Sequence, residues 1–247
     1  MNIRFDGKIV AVSGGGHGFG RAIAHSFADL GATVHTCDIN TEGLAVTAAG
    51  RNIHPSTVDL TDRKAAAAWI SGIGATVAVL VNNAGGVAGQ TPHPLEEIDD
   101  DDWDRIFDIN VNAAMALSRA AVPAMKAKGR GRIINISSGA GLQASLTGIQ
   151  AYCSTKHAVV GLTRQLAHEL GPFGITVNSV APGFIRTNPA TEKQWEAYGP
   201  EGQKALLQRI AMQRLGSAQD IANGVIFFAS DLAGFVNGQV LSVDGGR

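Results

Sequence analysis

Residues 8–21 read KIVAVSGGGHGFGR, in which an apolar run passes through a glycine-rich loop into a helical pattern. The run Lys8–Ser13 predicts a buried strand, and the pattern over Gly18–Leu30 predicts a helix. Glycine lets a backbone turn tightly and approach a pyrophosphate closely, and the helix that follows offers free amides and a positive dipole end. The spacing is G-x3-G-x-G rather than G-x-G-x-x-G, and glycine-rich turns are common. Its place between a strand and a helix nevertheless predicts a dinucleotide phosphate site that involves Ser13, Gly14, Gly16, His17, Gly18, Phe19 and Gly20.

The rest of the chain repeats this alternation of short apolar runs and longer helical patterns. The runs are nearly continuous, which is typical of a parallel sheet covered on both faces. We therefore predict an α/β fold, a Rossmann-like doubly wound parallel sheet with helices on both faces. Further strands are predicted at Thr33–Asp38, Ile53–Val58, Val77–Asn82, Arg132–Ser137, Ile175–Ala181 and Val240–Val243, and further helices at Thr41–Ala48, Asp62–Ser71, Asp100–Lys128, Ala151–Leu170 and Ala218–Ala229.

The composition indicates one domain over residues 1–247. Of the 247 residues, 45% are hydrophobic, and no Pro/Ser-rich linker divides them. A net charge of −1 gives no electrostatic footprint for nucleic acid or an anionic membrane. The apolar runs are too short to span a membrane, and the N-terminal residues are charged where a signal peptide needs an apolar stretch. We expect a cytoplasmic protein with no nucleic-acid or membrane partner.

The cysteines, histidines and acids give no sign of a metal centre. Cys37 and Cys153 form no CxxC, and the seven His residues show no HxxxH or HExxH pair. The acidic run Asp99–Asp102 could suggest a cation site, but at the start of a predicted helix it fits capping and the helix dipole better. We predict no catalytic metal.

A phenol and an ammonium lie one helical turn apart in Ala151–Lys156, which reads AYCSTK. A free phenol has a pKa of about 10 and is a poor base, but a fixed cation nearby lowers that pKa. A Tyr152 tuned in this way by Lys156 can exchange a proton with an alcohol or a carbonyl. Because such pairs also occur by chance, this one gains its meaning from the other motifs.

An acidic residue, Asp38, ends the second predicted strand. A carboxylate at this position can accept hydrogen bonds from the hydroxyls of an adenosine ribose and repels a 2′-phosphate. Binding of NADP would favour Arg or Lys nearby, but the glycine loop carries His17, and Asn40 follows Asp38. We predict NAD as the cofactor, although Asp38 could also simply begin a turn.

Together these motifs resemble the short-chain dehydrogenase/reductase family over essentially the whole chain. They occur in the family's order, as Gly14-x3-Gly18-x-Gly20, Asp59-Leu60, Asn82-Asn83-Ala84-Gly85, Asn110, Ser138, Tyr152-x3-Lys156 and Pro182-Gly183. Each motif alone is a weak signal, whereas the set is highly specific.

The resemblance implies roles for the matching residues. Tyr152 would be the catalytic acid/base, Lys156 would lower its pKa and hold the nicotinamide ribose, and Ser138 would donate a hydrogen bond to the substrate oxygen. Asn110 would place a water that carries protons from Lys156 to solvent, although an Asn inside a helix commonly bonds locally. The other cofactor contacts that the resemblance implies are Ile39, Asp59, Leu60, Asn83, Ala84, Gly85, Pro182, Gly183, Ile185 and Thr187.

The chain departs from the family pattern in two places. Ser13 stands where Thr is usual, which keeps a hydroxyl, and Tyr152 follows Ser138 at a spacing one residue longer than the commonest. We choose Ser138 over Ser137 because strand alternation would turn Ser137 to the opposite face.

The segment 188–216 is where this family builds a substrate lid, and here it is polar. We therefore expect a secondary alcohol or ketone on a small hydroxylated substrate, such as a keto-deoxy sugar acid or a polyol, although these polar residues could simply face water. Tetrameric relatives suggest a homotetramer, in which Arg247 could reach a neighbouring site and bind a substrate carboxylate. The candidate substrate contacts are Gln143, Gln150, Arg186 and Arg247.

Two other function classes stay open. A 3-oxoacyl-thioester (acyl carrier protein) reductase of the same family would normally use NADPH, which Asp38 opposes. A non-enzymatic NAD-binding protein would normally lack Tyr152 or Lys156.

Overall fold

The apolar runs of the sequence pair side by side in one parallel sheet. The computed structural model describes residues 3–247, and its strands are β1 (Ile9–Ser13), β2 (Thr33–Asp38), β3 (Ile53–Thr57), β4 (Val79–Asn82), β5 (Gly131–Ile136), β6 (Ile175–Pro182) and β7 (Val240–Val243). Within those residues the strand order is β3-β2-β1-β4-β5-β6-β7, and every neighbouring pair is parallel. The chain order reverses between β1 and β4, which opens a crevice at the carboxyl ends of these strands.

Helices cover both faces of the sheet, as predicted. They are α1 (Gly18–Asp29), α2 (Thr41–Ala48), α3 (Arg63–Gly72), α4 (Asp100–Phe107), α5 (Ala113–Lys128), α6 (Gln150–Leu170), α7 (Pro189–Ala197), α8 (Gly199–Gln208) and α9 (Ala218–Ala229).

Side chains that alternate along the strands divide the core in two. Val10 and Val12 of β1 pack in the cluster that contains residues of α1 and α9. Ala11, between them, packs in the cluster that contains residues of α3, α5 and α6. The two apolar layers hold the sheet rigid, so the loops at its carboxyl edge have a fixed support.

The predicted helix Asp100–Lys128 is interrupted, which corrects the sequence prediction. A π-helical turn over Asp108–Asn112 separates α4 from α5. The Asp99 carboxylate accepts hydrogen bonds from the amides of Asp101 and Asp102, so the capping role predicted for the acidic run is confirmed.

Two helices, α7 and α8, lie in the segment predicted only as a lid. The α7 helix begins with a capping box in which Asn188 accepts from the Thr191 amide and the Thr191 hydroxyl accepts from the Asn188 amide. Among the described residues, none of the helices combines the length and apolar character that a membrane crossing requires.

Candidate active site

The glycine-rich loop leaves β1 and presents its backbone to a cleft of about 1500 Å³. Gly14 has a φ of 72°, and a side chain at Gly20 would collide with the Gly14 carbonyl. Helix α1 starts at Gly18, and the side chain of the residue before it, His17, makes no capping hydrogen bond. The first amides of α1 are therefore available to an anion, and the close backbone approach fits a pyrophosphate group.

Ser13 supports this loop rather than lining the cleft, which corrects its predicted role as a cofactor contact. It is buried, and its hydroxyl accepts hydrogen bonds from the amides of Asn83 and Ala84, each at 3.0 Å. In return, Asn83 Nδ2 donates to the carbonyls of Ser13 and Gly14 at 2.9 and 3.0 Å. The hydroxyl that serine shares with threonine thus joins the end of β1 to the end of β4.

Asp38 lies at the end of β2 beside the glycine loop and lines the cleft with Ile39. Its Oδ2 atom accepts from the Gly16 amide at 2.9 Å, and its Oδ1 atom accepts from the Asn40 amide at 3.0 Å. Gly16 itself does not line the cleft. Because each carboxylate oxygen has a second lone pair, Asp38 is held in place and can still accept hydrogen bonds from a ligand.

Arg21 is a supporting residue that the sequence reasoning did not identify. Its Nη2 atom donates to the carbonyl oxygens of Gly16 and Gly43, and its Nε atom donates to the Thr47 hydroxyl at 2.9 Å. The guanidinium therefore joins the glycine loop to α2. Its place one residue after Gly20, in the first turns of α1, is the signal that could have suggested this role.

Lys156 lies one turn after Tyr152 on α6, and its ammonium group is buried. Only 4% of the residue is exposed, and Nζ donates to the Ile136 carbonyl at 3.0 Å. Burial lowers the pKa of Lys156 from its ordinary value of 10.5 to about 8. Nζ lies 5.6 Å from the centre of the Tyr152 ring, so the predicted pair is brought together.

The direction of the Tyr152 pKa corrects the sequence expectation. Burial raises this pKa above the ordinary value of 10, and the hydrogen bond with Ser138 opposes the rise without overcoming it. The charge of Lys156 favours the phenolate, but removing the phenolate from water has a cost that the spacing of the two residues does not reveal. Tyr152 therefore favours its protonated form as the residues stand.

The two adjacent serines have different surroundings. Ser137 is 2% exposed, and its hydroxyl donates to the Lys156 carbonyl at 3.0 Å. Ser138 has an extended backbone, and its hydroxyl accepts from the Ala140 amide at 3.1 Å. Since Ser138 interacts with the Tyr152 phenol and Ser137 is bound to the α6 backbone, the geometry favours Ser138 as the residue that faces a substrate.

Asn110 sits in the π-helical turn and does not line the cleft directly. Its Nδ2 atom donates to the Ile106 carbonyl at 2.9 Å. This is the local hydrogen bond that an Asn inside a helix commonly makes. The same side chain also binds Gly86, donating to its carbonyl at 2.8 Å and accepting from its amide at 3.0 Å. Asn110 therefore fixes the loop after β4, close to Tyr152 and Lys156.

The remaining predicted cofactor contacts all line this one cleft. Hydrogen bonds from the backbone amide and the hydroxyl of Thr61 lower the pKa of Asp59, which keeps it a carboxylate. The cleft residues that match the predictions are Ile39, Asp59, Leu60, Asn83, Ala84, Gly85, Pro182, Gly183, Ile185 and Thr187.

Of the four candidate substrate residues, the structure brings only Arg247 to the cleft. Arg186 binds Glu192 through Nε and Nη2 at 2.8 and 2.6 Å and lies over Trp195. Gln150 donates to the His93 carbonyl at 3.0 Å. Gln143 is exposed outside the cleft walls. Polarity alone did not identify which side chains face inward.

Residues that sequence reasoning missed complete the substrate end. Helix α7 lines the cleft with Ala190, Thr191, Lys193, Gln194 and Ala197. The i, i+3, i+4, i+7 spacing of Ala190, Lys193, Gln194 and Ala197 is one face of a helix, and it could have been recognised had the helix been predicted.

Comparison with known proteins agrees with this geometry. A family model described as enoyl-(acyl carrier protein) reductase matches residues 14–247. The 3-oxoacyl-[acyl-carrier-protein] reductase of Thermotoga maritima is 34% identical and is aligned over 99% of each chain. The 7alpha-hydroxysteroid dehydrogenase of Escherichia coli K12 is 35% identical over 99% of this chain and 96% of its own.

Solved structures give the same family. A candidate NAD(P)-dependent gluconate 5-dehydrogenase from Beutenbergia cavernae, described with bound NADP at low occupancy, is 36% identical, with a TM-score of 0.90 over 100% of this chain and 98% of its own. A candidate 2-deoxy-D-gluconate 3-dehydrogenase from Agrobacterium tumefaciens with bound NADP is 34% identical. Its TM-score is 0.88 over 99% of this chain and 98% of its own. The chain belongs to the short-chain dehydrogenase/reductase family and is an oxidoreductase.

Proposed function

We propose that this enzyme interconverts a secondary alcohol and a ketone on a small polar substrate and uses NAD. In the oxidative direction the alcohol carbon loses a hydrogen with its electron pair, and the alcohol oxygen loses a proton. When bound, the nicotinamide cofactor supplies the acceptor for that hydride, or its donor in the reverse direction.

The proton is assigned to Tyr152, which we propose as the general acid/base. Ser138 holds the substrate oxygen beside the phenol and donates a hydrogen bond to the charge that develops there. The nearby Lys156 ammonium stabilises the phenolate form, which opposes the effect of burial on Tyr152. Asn110 keeps the loop at Gly86 in place and, as the sequence suggested, directs a water toward Lys156.

The cofactor preference rests on Asp38. Its carboxylate is held by the Gly16 and Asn40 amides at the wall where the adenosine ribose is expected. A 2′-phosphate there would meet a fixed negative charge, so we propose NAD. The two structural relatives are described with NADP, which makes this preference a property to measure in this chain.

The observation that carries the substrate class is the inward face of α7. Thr191, Lys193 and Gln194 line the cleft that also contains Tyr152. The Thr191 hydroxyl is used in the α7 capping box, and Gln194 Nε2 donates to the Tyr198 hydroxyl at 2.8 Å. The Lys193 ammonium has no such protein partner among the described residues. Covering it with a long alkyl chain would leave its charge unpaired, whereas a hydroxylated or acidic substrate can bind it. We propose a sugar acid or a polyol, in agreement with the gluconate dehydrogenase descriptions of the structural relatives.

The second candidate is a 3-oxoacyl-thioester reductase. It is favoured by the curated relatives of that activity and by the apolar side chains of Val87, Leu146 and Phe184, which also line the cleft. An acyl chain could pack on these residues, but the Lys193 ammonium on α7 would then be covered without a partner.

A substrate panel tests these alternatives. The purified enzyme is assayed by nicotinamide fluorescence with aldonic acids, matched alditols and a 3-oxoacyl thioester, each with both cofactors, and with Tyr152→Phe as the blank. We expect oxidation of an acid or alditol with NAD. Turnover of the thioester alone, with NADPH, would establish the second candidate instead.

We also propose a homotetramer in the cytoplasm, on the basis of family membership. Small residues on α5 are candidates for a contact between helices of two subunits. Ala113 and Ala116 are buried in the chain's own core, whereas Ala120 and Ala124 are accessible for such a contact. Light scattering coupled to gel filtration tests the assembly.

A further inference from the structure

The two faces of helix α7 carry opposite charge. Lys193 is exposed on the face that lines the cleft, together with Thr191 and Gln194. The acids Glu192 and Glu196 do not line the cleft, and Glu192 is bound by Arg186. The lid therefore presents a cation, and no carboxylate of its own, to the substrate.

Arg247 lines the same cleft, and hydrogen bonds fix the backbone of the C-terminal tail that carries it. The Asp244 carboxylate accepts from the amides of Gly246 and Arg247 at 2.9 and 3.4 Å. The carbonyls of Gly245 and Gly246 accept from the backbone amides of residues 212 and 211 at 3.1 and 3.2 Å, just after α8. These bonds hold the tail against the end of the lid and place Arg247 in the wall of its own chain's cleft.

Neither cation is neutralised by a protein carboxylate. Among the ion pairs within residues 3–247, none includes Lys193 or Arg247. A guanidinium can bind a carboxylate through two parallel hydrogen bonds, while an ammonium adds a compact charge.

The acids of the cleft come from other elements. Asp101, Asp104 and Asp108 line it from α4 and the π-helical turn, together with Arg105, and Asp108 is paired with Arg63 at 3.3 Å. Asp38 and Asp59 line it at the ends of β2 and β3. A substrate carboxylate is repelled by those acids and attracted to α7 and the tail, which would orient an acidic substrate in one direction.

We propose that Lys193 and Arg247 together bind the carboxylate of a sugar acid and make the enzyme select acids over the matching polyols. This rests on the proposed function, since it assigns the substrate class within the same cleft. The two residues determine specificity and take no part in proton transfer.

The test compares one acid with one neutral substrate of equal length, gluconate and glucitol. We assay three variants, Lys193→Met, Arg247→Gln and the double variant. The cofactor is the one that gives the wild type the higher kcat/KM. We expect each single variant to lower kcat/KM for gluconate about tenfold, chiefly through KM, because each removes one charge from the carboxylate. The kcat/KM for glucitol should stay within about twofold of the wild-type value, since the terminal hydroxymethyl group of glucitol carries no charge. Lys204→Met serves as the control, because Lys204 is exposed on α8 and does not line the cleft.

Equal losses for both substrates, or no loss for gluconate, would overturn the proposal. If the wild type turns over neither compound, the proposed function fails, and gluconate binding by titration calorimetry then decides this inference separately. Binding to the wild type that is lost in the double variant supports the carboxylate site. An absence of binding to the wild type, or equal binding to both proteins, refutes it.

Discussion

Replacing Lys156 with methionine should stabilise the folded protein at neutral pH while it removes activity. The ammonium is buried at 4% exposure, and its pKa falls from 10.5 to about 8. That difference corresponds to about 3 kcal/mol of free energy that the folded state loses by keeping the group charged. Methionine has a similar length and needs no water, so it removes this cost. It also removes the hydrogen bond from the charged Nζ to the Ile136 carbonyl, and such a bond contributes about 1.5–3 kcal/mol.

We therefore expect Lys156→Met to raise the free energy of unfolding at pH 7 by up to about 1.5 kcal/mol. Because folding lowers the pKa of Lys156, the stability of the wild type also depends on pH. Between pH 8 and 10.5 the unfolded chain still binds a proton that folded Lys156 has released, so wild-type stability rises with pH in this window relative to the variant. Below pH 8 both states carry the proton, and the difference between the two proteins should be constant.

Urea unfolding at pH 7 and pH 10, at one fixed protein concentration, measures both effects. Lys64→Met is the matched control, since Lys64 is exposed on α3 and should change stability little. Destabilisation of Lys156→Met at pH 7, or the same stability difference from the wild type at both pH values, would refute this prediction.

Other substitutions test the cofactor end and the choice of serine. Asp38→Ala should reduce the preference for NAD over NADP by about tenfold to a hundredfold, because a fixed charge beside the 2′-phosphate is lost; an unchanged ratio of the two kcat/KM values would remove Asp38 from this role. Ser138→Ala should lower kcat by about a hundredfold or more, whereas Ser137→Ala should mainly lower stability, and the reverse pattern in kcat would exchange their assignments. Gly20→Ala should abolish NAD binding in fluorescence titrations, since its methyl group would meet the Gly14 carbonyl; full affinity in a folded variant would contradict the close approach.

Much of the fold follows from local pattern. The strand Thr33–Asp38 and the helices Thr41–Ala48 and Ala218–Ala229 agree with their predictions at both ends. Buried parallel strands are continuous apolar runs, and these are easy to recognise. The break at Asp108–Asn112 could not be predicted in this way, because the helical periodicity continues through it and the Asn110–Gly86 contact that accompanies it is long-range.

The helices of the lid were not predicted from the sequence, for a different reason. Asn188 followed by Pro189 is a helix-start signal, and Gly199 with Pro200 marks the junction between α7 and α8, but the polar composition concealed two short helices. The position of Arg247 depends on backbone pairing between the tail and the residues after α8, which no local pattern encodes.

The proximity of Tyr152 and Lys156 was predictable, but their electrostatics were not. Spacing alone placed Tyr152 and Lys156 together, and the structure brings them into one cleft. The pKa directions depend on how deeply both groups are buried, and burial is a tertiary property. It lowers the pKa of Lys156 and raises that of Tyr152.

The central claim is that the Tyr152 oxygen exchanges the substrate proton, and Tyr152→Phe tests it most directly. Phenylalanine keeps the ring that lines the cleft and removes only the hydroxyl. We predict that kcat falls by at least about a thousandfold, while the circular dichroism spectrum and the Kd for NAD stay near those of the wild type. A folded Tyr152→Phe enzyme that retained wild-type turnover would contradict the mechanism.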